Sequence, residues 1–404
     1  MTAIASLDSR ASWIRLGISL LVGVVGNVGM WAIILILPAV QAEFGVDRAD
    51  ASLPYTVTMV GFALGNFWIG RAVDRFGMSA ALICAAVLIA AGYGFAAVAG
   101  SVAMLSVAQF AIGFGTSASF GPLIADASQW FLKRRGIAVA LVASGNYLSG
   151  AIWPVALSGV LASDGWRVVY LVLAALTLVV VIPLALLLRR GLPEAMSAQT
   201  TRMAAERAAT TGLSPRALQW LLALAGVGCC VAMSMPQVHI VAYCVDLGFG
   251  PAVGAEMLSL MLLGGVASRI ASGLLADVLG GVRTLLIGSA LQGLALILYL
   301  PSAGLTSLYL VSLVFGLSQG GIVPSYAVIV REYLPAKEAG ARVGFVMMAT
   351  IVGMALGGWM SGWIYDVTGS YRMAFLNGIG WNVLNLGIVL TVLVRSRPRL
   401  PAVA

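Results

Sequence analysis

The sequence predicts an all-α polytopic membrane protein, with twelve transmembrane helices in two pseudo-symmetric six-helix bundles. Three observations carry that expectation. The 404 residues are 61% hydrophobic and 9% charged, and the mean hydropathy of +1.01 is far above that of a chain that buries one core in water. The apolar residues come in segments of about 20, the length a helix needs to cross a bilayer. No segment alternates apolar and polar residues with the two-residue period of a barrel strand, and in lipid a helix satisfies its own backbone amides.

The spans fall at 14–40, 52–70, 78–99, 102–127, 137–162, 167–188, 217–244, 253–276, 283–303, 305–331, 343–365 and 372–394. The first follows ten mostly polar residues, is too long for the apolar region of a signal peptide and lacks a clear small-residue cleavage site, so it is expected to stay in the membrane. Spans 2, 4, 6, 10 and 12 run into basic residues: Arg71 and Arg75, Lys133 to Arg135, Arg189 and Arg190, Arg331 and Lys337, and Arg395 to Arg399. With both termini cytoplasmic, all of the 23 basic residues lie on that side except Arg48, Arg167, Arg372 and the intramembrane Arg269. The net charge of +8 is therefore mostly a topological signal, and a nucleic-acid partner gains nothing from it. A multi-pass protein of the plasma membrane (bacterial inner membrane), acting as a monomer in the lipid bilayer, is expected.

Residues 190–216 interrupt the hydrophobic pattern and read as a cytoplasmic linker between an N-terminal bundle, 1–189, and a C-terminal bundle, 217–404. The second half repeats the first. Gly70, Asp74 and Gly77 meet Gly273, Asp277 and Gly280 at an offset of 203. Pro122, Phe131 and Arg135 meet Pro324, Tyr333 and Lys337 at 202, and Trp166, Arg167 and Tyr170 meet Tyr371, Arg372 and Phe375 at 205. Repeated halves around a central site are the architecture of alternating access, in which two bundles rock about a midplane site.

The loop after span 2 reads Gly70-Arg71-Ala72-Val73-Asp74-Arg75-Phe76-Gly77, and the loop after span 8 reads Gly273-Leu274-Leu275-Ala276-Asp277-Val278-Leu279-Gly280. Glycine allows close helix approach, the aspartate can pair with arginines or with the N-terminus of a neighbouring helix, and the second glycine permits a tight turn. The duplicated loop resembles the signature of the major facilitator superfamily, with Gly70, Asp74, Arg75, Gly77, Arg135, Gly273 and Asp277 as the implied gating set. Met78 stands where that family commonly has a basic residue, and an extra glycine precedes Arg283. Three further stretches resemble the monocarboxylate porters and their oxalate/formate antiporter relatives. They are Trp130 to Ala138, the spacing of Arg269, Gly273 and Asp277, and His239 to Gly248.

Arg269 lies about 12 Å above the Asp277 end of its helix, at the depth of a midplane site. An arginine at that depth needs a protein interior and an anionic partner, and its fork of donors suits a carboxylate. The first-half position equivalent to it is Asn66, and span 11 from Phe345 to Ile364 holds no lysine or arginine. The oxalate/formate resemblance implies a lysine near Thr350, which is absent here. One cation points to one carboxylate.

His239, the single histidine, titrates in the range where a proton gradient operates. It is a candidate for proton coupling or substrate contact, and equally for a neutral histidine hydrogen-bonded inside the bundle. Tyr243 follows one turn later on the same face. Asn27, Trp31, Ser117, Tyr147 and Gln319 are further candidates for substrate contact, because the resemblance implies that spans 1, 4, 7 and 10 line a cavity. Polar side chains at such positions also serve as glue between helices, and Gln109, Asn146 and Asn382 share that double reading.

The function expected is secondary transport of a small monocarboxylate anion such as lactate or pyruvate, with a proton as co-substrate. The alternatives are an organic-anion or dicarboxylate exchanger and a drug exporter. An exporter of cationic drugs would need a buried carboxylate, and the N-terminal half shows none near mid-depth. Enzyme chemistry needs a nucleophile with a base or a metal cluster, and one histidine with scattered cysteines offers neither, so no cofactor and no metal are expected. Cys84, Cys229, Cys230 and Cys244 lack metal-ligand spacing and read as small buried side chains.

Overall fold

The structure, a computed structural model, describes residues 7–46, 48–191, 202, 204, 212–249, 251–301 and 304–395. Most of the expected linker 190–216, and both chain termini, lie outside the described residues. Helices occupy every expected span. Spans 1 to 4 are Arg10–Gly26 with Val28–Phe44, Arg48–Phe76, Met78–Ala97, and Val102–Thr116 with Gly121–Gln129. Gly165, at φ 81°, divides the run Arg135–Leu176 into spans 5 and 6. Spans 7 to 12 are Pro215–Asp246, Pro251–Leu279, Gly281–Tyr299, Leu305–Gln319 with Ile322–Tyr333, Ala339–Thr368 and Tyr371–Arg395. Among the described residues, eleven helices are long and apolar enough to cross a membrane; Arg48–Phe76, with Pro54 and Asn66 inside it, is not among them.

Several helices outlast the apolar stretch that predicts them. Span 2 begins at Arg48 and continues through Arg71 and Arg75 to Phe76, because a charged residue ends the apolar segment without ending the backbone ladder. Spans 1, 4 and 10 depart in the other direction: each is expected as one helix and each is broken. Asn27 interrupts span 1, and its Nδ2 donates to Gly23 O at 2.7 Å and to Ser119 O at 2.9 Å. Ser119 itself belongs to the tight turn Ser117–Ser119 that divides span 4. The Gly320–Gly321 pair divides span 10.

Two compact units result. Unit 1 holds residues 1–132, 141–196 and 337–348; unit 2 holds 133–140, 197–336 and 349–404. In unit 1 spans 2 and 4 cross so closely that a Cβ on Gly113 would lie 2.1 Å from Thr58 O. In unit 2 spans 8 and 10 repeat the crossing, with a Cβ on Gly316 2.2 Å from Met261 O. Both residues of each pair are related by the offset of 203.

Beside the crossings lie aromatic stacks. In unit 1 Tyr93 stacks on Tyr170 at 5.5 Å, and Gln109 donates to the Tyr170 hydroxyl while accepting from Thr58 at 3.0 Å. In unit 2 Tyr299 stacks on Phe375 at 4.8 Å and bonds Ser312 at 2.8 Å. Unit 2 adds a buried polar chain. Tyr326 donates to Asn385 at 2.9 Å, Asn385 to Ser289 at 2.8 Å, Asn382 to Gln292 at 3.0 Å, and Gln292 to Cys229 O at 3.1 Å. Cys229, Cys230 and Cys244 are buried as expected, but Cys84 is exposed on the outward face of span 3. Apolar composition along the span says nothing about which face a residue occupies.

Candidate functional site

Span 8 carries Arg269 to the break in span 10. The helices touch there because Gly320 has no side chain: a Cβ on it would sit 2.1 Å from Gly265 O. Arg269 is 3% exposed and its Nε donates to Gly320 O at 3.1 Å. The carbonyl is a C-terminal one, at the end of Leu305–Gln319, where helix geometry leaves acceptors unused. Gln319, next to it, is 1% exposed, and neither Oε1 nor Nε2 has a hydrogen-bond partner among the described residues. Buried polar groups are nearly always partnered in folded proteins, and this unmet amide stands one residue before the carbonyl that Arg269 holds.

Asn66 holds the equivalent place in unit 1 and does the complementary job. Its Nδ2 donates to Phe62 O at 2.8 Å and its Oδ1 accepts from Gly121 N at 3.1 Å, which caps the second helix of span 4. Asparagine thus serves a helix start where Arg269 serves a helix end.

His239 lies seven residues from the end of span 7 and is half-buried. Its Nε2 is 2.8 Å from Gly358 O and its Nδ1 is 3.4 Å from the Tyr371 hydroxyl. Tyr243 packs on Tyr371 at 5.6 Å and on Phe375 at 5.7 Å. The histidine and tyrosine therefore share a face, as their spacing predicts, and both meet the start of span 12.

The remaining candidates divide by how their polar atoms are used. The Asn27 amide nitrogen holds the breaks of spans 1 and 4 together, as described above. Trp31 donates to Asn146 O at 3.1 Å, with its ring against Gly150. Ser117 donates to Phe114 O at 2.7 Å. Gln109 and Asn382 are the polar bridges of their units. Tyr147 is half-buried on span 5.

The signature loops resolve into a pair of matched caps. Asp74 accepts from Gly340 N at 2.8 Å and Ala341 N at 2.7 Å, the start of span 11. Asp277 accepts from Gly136 N and from Ile137 N at 3.1 Å, the start of span 5. A carboxylate at a helix N-terminus meets both orphan donors and the positive end of the helix dipole. The aspartate's neighbours Gly70 and Gly273 face Gly340 and Gly136, leaving no room for a Cβ. Gly77 and Gly280, at φ 85° and 82°, turn the chain into the next helix. Arg75 lies over the Phe76 ring at 5.1 Å, and Arg135, 7% exposed, donates to Arg331 O at 3.4 Å.

Two further charged contacts went unnoticed in the sequence. Glu332 accepts from Gly281 N at 3.2 Å and caps span 9; among the described residues no carboxylate does the same at the start of span 3. Arg15 pairs with Asp126 at 2.9 Å, also donates to Arg190 O at 2.9 Å, and lies over Trp130 at 4.6 Å. Asp126 is thereby committed inside unit 1. Among the described residues, no three His, Cys, Asp or Glu side chains cluster as metal ligands would.

The duplicated caps, the matched crossings and the paired breaks have a counterpart among known families. The family described as Major Facilitator Superfamily matches residues 19–305 and 233–404. The chain belongs to this superfamily. It is a multi-pass membrane transporter, not an enzyme. It is 28% identical over 344 residues to monocarboxylate transporter 13 of Bos taurus, covering 83% of this chain and 79% of that one. It is 31% identical over 332 residues to monocarboxylate transporter 11 of Homo sapiens, covering 78% and 67%. Among solved structures the E. coli fucose:proton symporter has a TM-score of 0.73 at 16% identity, covering 96% of this superfamily member and all of that chain.

Proposed function

We propose that the protein carries a small monocarboxylate of the lactate or pyruvate kind by alternating access of its two halves, with a proton as co-substrate. The carboxylate docks on Arg269. What carries this reading is the Gln319 amide, buried and without a hydrogen-bond partner among the described residues, one residue before the carbonyl that the buried Arg269 holds at the break in span 10. An unmet amide in the interior costs about 1–3 kcal/mol, and a bound carboxylate with an adjacent oxygen function relieves that cost. The guanidinium fork offers the charge and the geometry. Asn66 at the equivalent place is neutral, and span 11 supplies no second cation, so charge matching stops at one carboxylate. The two relatives named as monocarboxylate transporters agree with that substrate class.

His239 is the proton carrier in this reading. The basic residues on the linker side support cytoplasmic termini, and in a bacterial cell the inner membrane as the site of action. The test is uptake of labelled lactate or pyruvate into proteoliposomes under an imposed pH gradient, with a panel of acids as competitors. Monocarboxylates are expected to compete and Arg269→Ala to abolish binding. Preference for dicarboxylates, or retained affinity in Arg269→Ala, overturns the reading.

A further inference from the structure

The offset that relates the halves also relates three residues at the end of each unit away from the linker: Glu43, Trp166 and Arg167 in unit 1 correspond to Asp246, Tyr371 and Arg372 in unit 2. In unit 1 they form a closed strut. Trp166 Nε1 donates to Glu43 at 2.6 Å, and Arg167 donates to Glu43 at 2.7 Å and to Ala99 O at 2.9 Å. Every donor there has one direction. In unit 2 the strut is rewired: Asp246 acts on the Tyr365 hydroxyl instead, Tyr365 stacks on Tyr371 at 4.3 Å, and the Tyr371 hydroxyl turns to His239. The unit 1 position equivalent to His239 is Ile36, fully buried and apolar.

The replacement of an indole by a phenol matters because indole only donates, whereas a phenol donates and accepts. Gly358 O only accepts, so the bond at His239 Nε2 puts the hydrogen on that nitrogen. In the neutral ring Nδ1 then carries a lone pair, and Tyr371 donates to it. When a proton binds Nδ1 the bond reverses: Nδ1–H donates to the Tyr371 oxygen, and the phenol hydrogen turns toward another acceptor. The bond from Nε2 to Gly358 O persists in both states.

We infer that His239 and Tyr371 form a proton-binding site in unit 2, with Tyr371 as a positioning residue whose hydroxyl reverses its donor role on protonation. Spans 7, 11 and 12 meet at this pair. The charged and titratable groups around it are Tyr243, Cys244 and Asp246 on span 7, Tyr365 and Asp366 on span 11, and Arg372 beside Tyr371 on span 12. Glu256 on span 8 is bonded to Tyr309. The carboxylates of Asp246 and Asp366 both act on the Tyr371 hydroxyl. Span 11 passes close to the ring, where a Cβ on Gly362 would lie 3.5 Å from the imidazole Cε1.

This inference rests on His239 as the proton carrier in the proposed function, but it can be tested apart from transport. His239 is the only histidine, so protein purified without a histidine tag and labelled with 15N-histidine gives one imidazole spin system. The neutral form is expected as the Nε2–H tautomer. Tyr371→Phe is expected to lower the titration midpoint by roughly half a unit to one unit, because the charge-assisted bond it removes is about twice as strong as the neutral one. Asp246→Asn is expected to lower it as well. An Nδ1–H tautomer, or a midpoint that Tyr371→Phe leaves unmoved, overturns the inference. The pH profile of uptake separates the two claims. If the NMR titration behaves as expected while uptake ignores the proton gradient, the proton site stands and proton-coupled transport falls.

Discussion

The two halves keep the same backbone meetings and differ in the side chains placed on them. Gly113 on Thr58 and Gly316 on Met261, Asp74 on the start of span 11 and Asp277 on the start of span 5, the breaks in spans 4 and 10: each pair sits at nearly one offset. Around those shared places unit 1 is neutral or self-paired, and unit 2 has a buried guanidinium and a histidine. Asn66 caps a helix where Arg269 brings a charge. Glu43 closes a strut where Asp246 frees Tyr371 for a histidine. Backbone approach cannot vary without loss of the fold, so duplication preserved it, and side chains around it were free to diverge.

The largest effect should come from moving the charge. Arg269→Ala is expected to weaken carboxylate binding roughly 100-fold or more, since removing one partner of a buried charged pair costs about 2–5 kcal/mol. Arg269→Lys should fall between, because lysine keeps the charge and loses the fork. Binding measured by isothermal titration or scintillation proximity decides it, and equal affinity in Arg269→Ala would mean that unit 2 is no more specialised than unit 1. Next in size, Gly113→Ala and Gly316→Ala should each destabilise by about 3 kcal/mol, because a methyl group meets a backbone carbonyl that cannot move aside. Thermal melting in detergent should show the two losses to be alike; a tolerated substitution in one half would break the equivalence of the crossings. Asp74→Asn and Asp277→Asn should then slow turnover while leaving affinity intact, as each weakens a cap at a helix start by about 1 kcal/mol.

Much of this was legible in the sequence, because hydropathy and loop motifs report directly on spans and caps. The twelve spans follow from lengths of apolar chain, and Asp74, Asp277 and their glycines from a repeated loop that apolar composition cannot produce by chance. The helix breaks were not legible. Asn27 reads as one polar residue in an apolar run until Ser119 O is brought beside it, and that approach is tertiary. Glu332 was hidden for a similar reason: a glutamate after Arg331 looks like one more loop charge, and only the fold aims it at the start of span 9. Arg269 could be singled out from its cost in a membrane. Its contact with a backbone carbonyl could not, since a carbonyl leaves no mark on sequence.

Gln319 sharpens the comparison further. Its counterpart at the offset of 203 is Thr116, whose hydroxyl is also buried without a hydrogen-bond partner. Gln319→Leu removes an unmet amide, so it should raise the melting temperature of the empty protein while weakening carboxylate binding about tenfold. Thr116→Val should raise stability and leave binding unchanged. Parallel loss of affinity in both variants would show that the two positions have not diverged in function.

The smallest expected effect belongs to the unit 1 strut. Hydrogen bonds from Arg167 first and Trp166 second hold the Glu43 carboxyl below its ordinary value of 4.5. A carboxyl lowered on folding stabilises the fold above its ordinary value, and that contribution fades as pH falls through the lowered one. Melting temperature should therefore drop on the acid side, below about pH 4.5, and Glu43→Gln should flatten part of that drop. With both side chains 38% exposed, solvent screening keeps the effect under about 1 kcal/mol. Asp246 closes no such strut among the described residues, so Asp246→Asn should leave this acid limb as steep as before and change the titration of His239 instead. If the two substitutions altered the acid limb alike, the strut would not be confined to unit 1, and the divergence of the two ends would lose its physical basis.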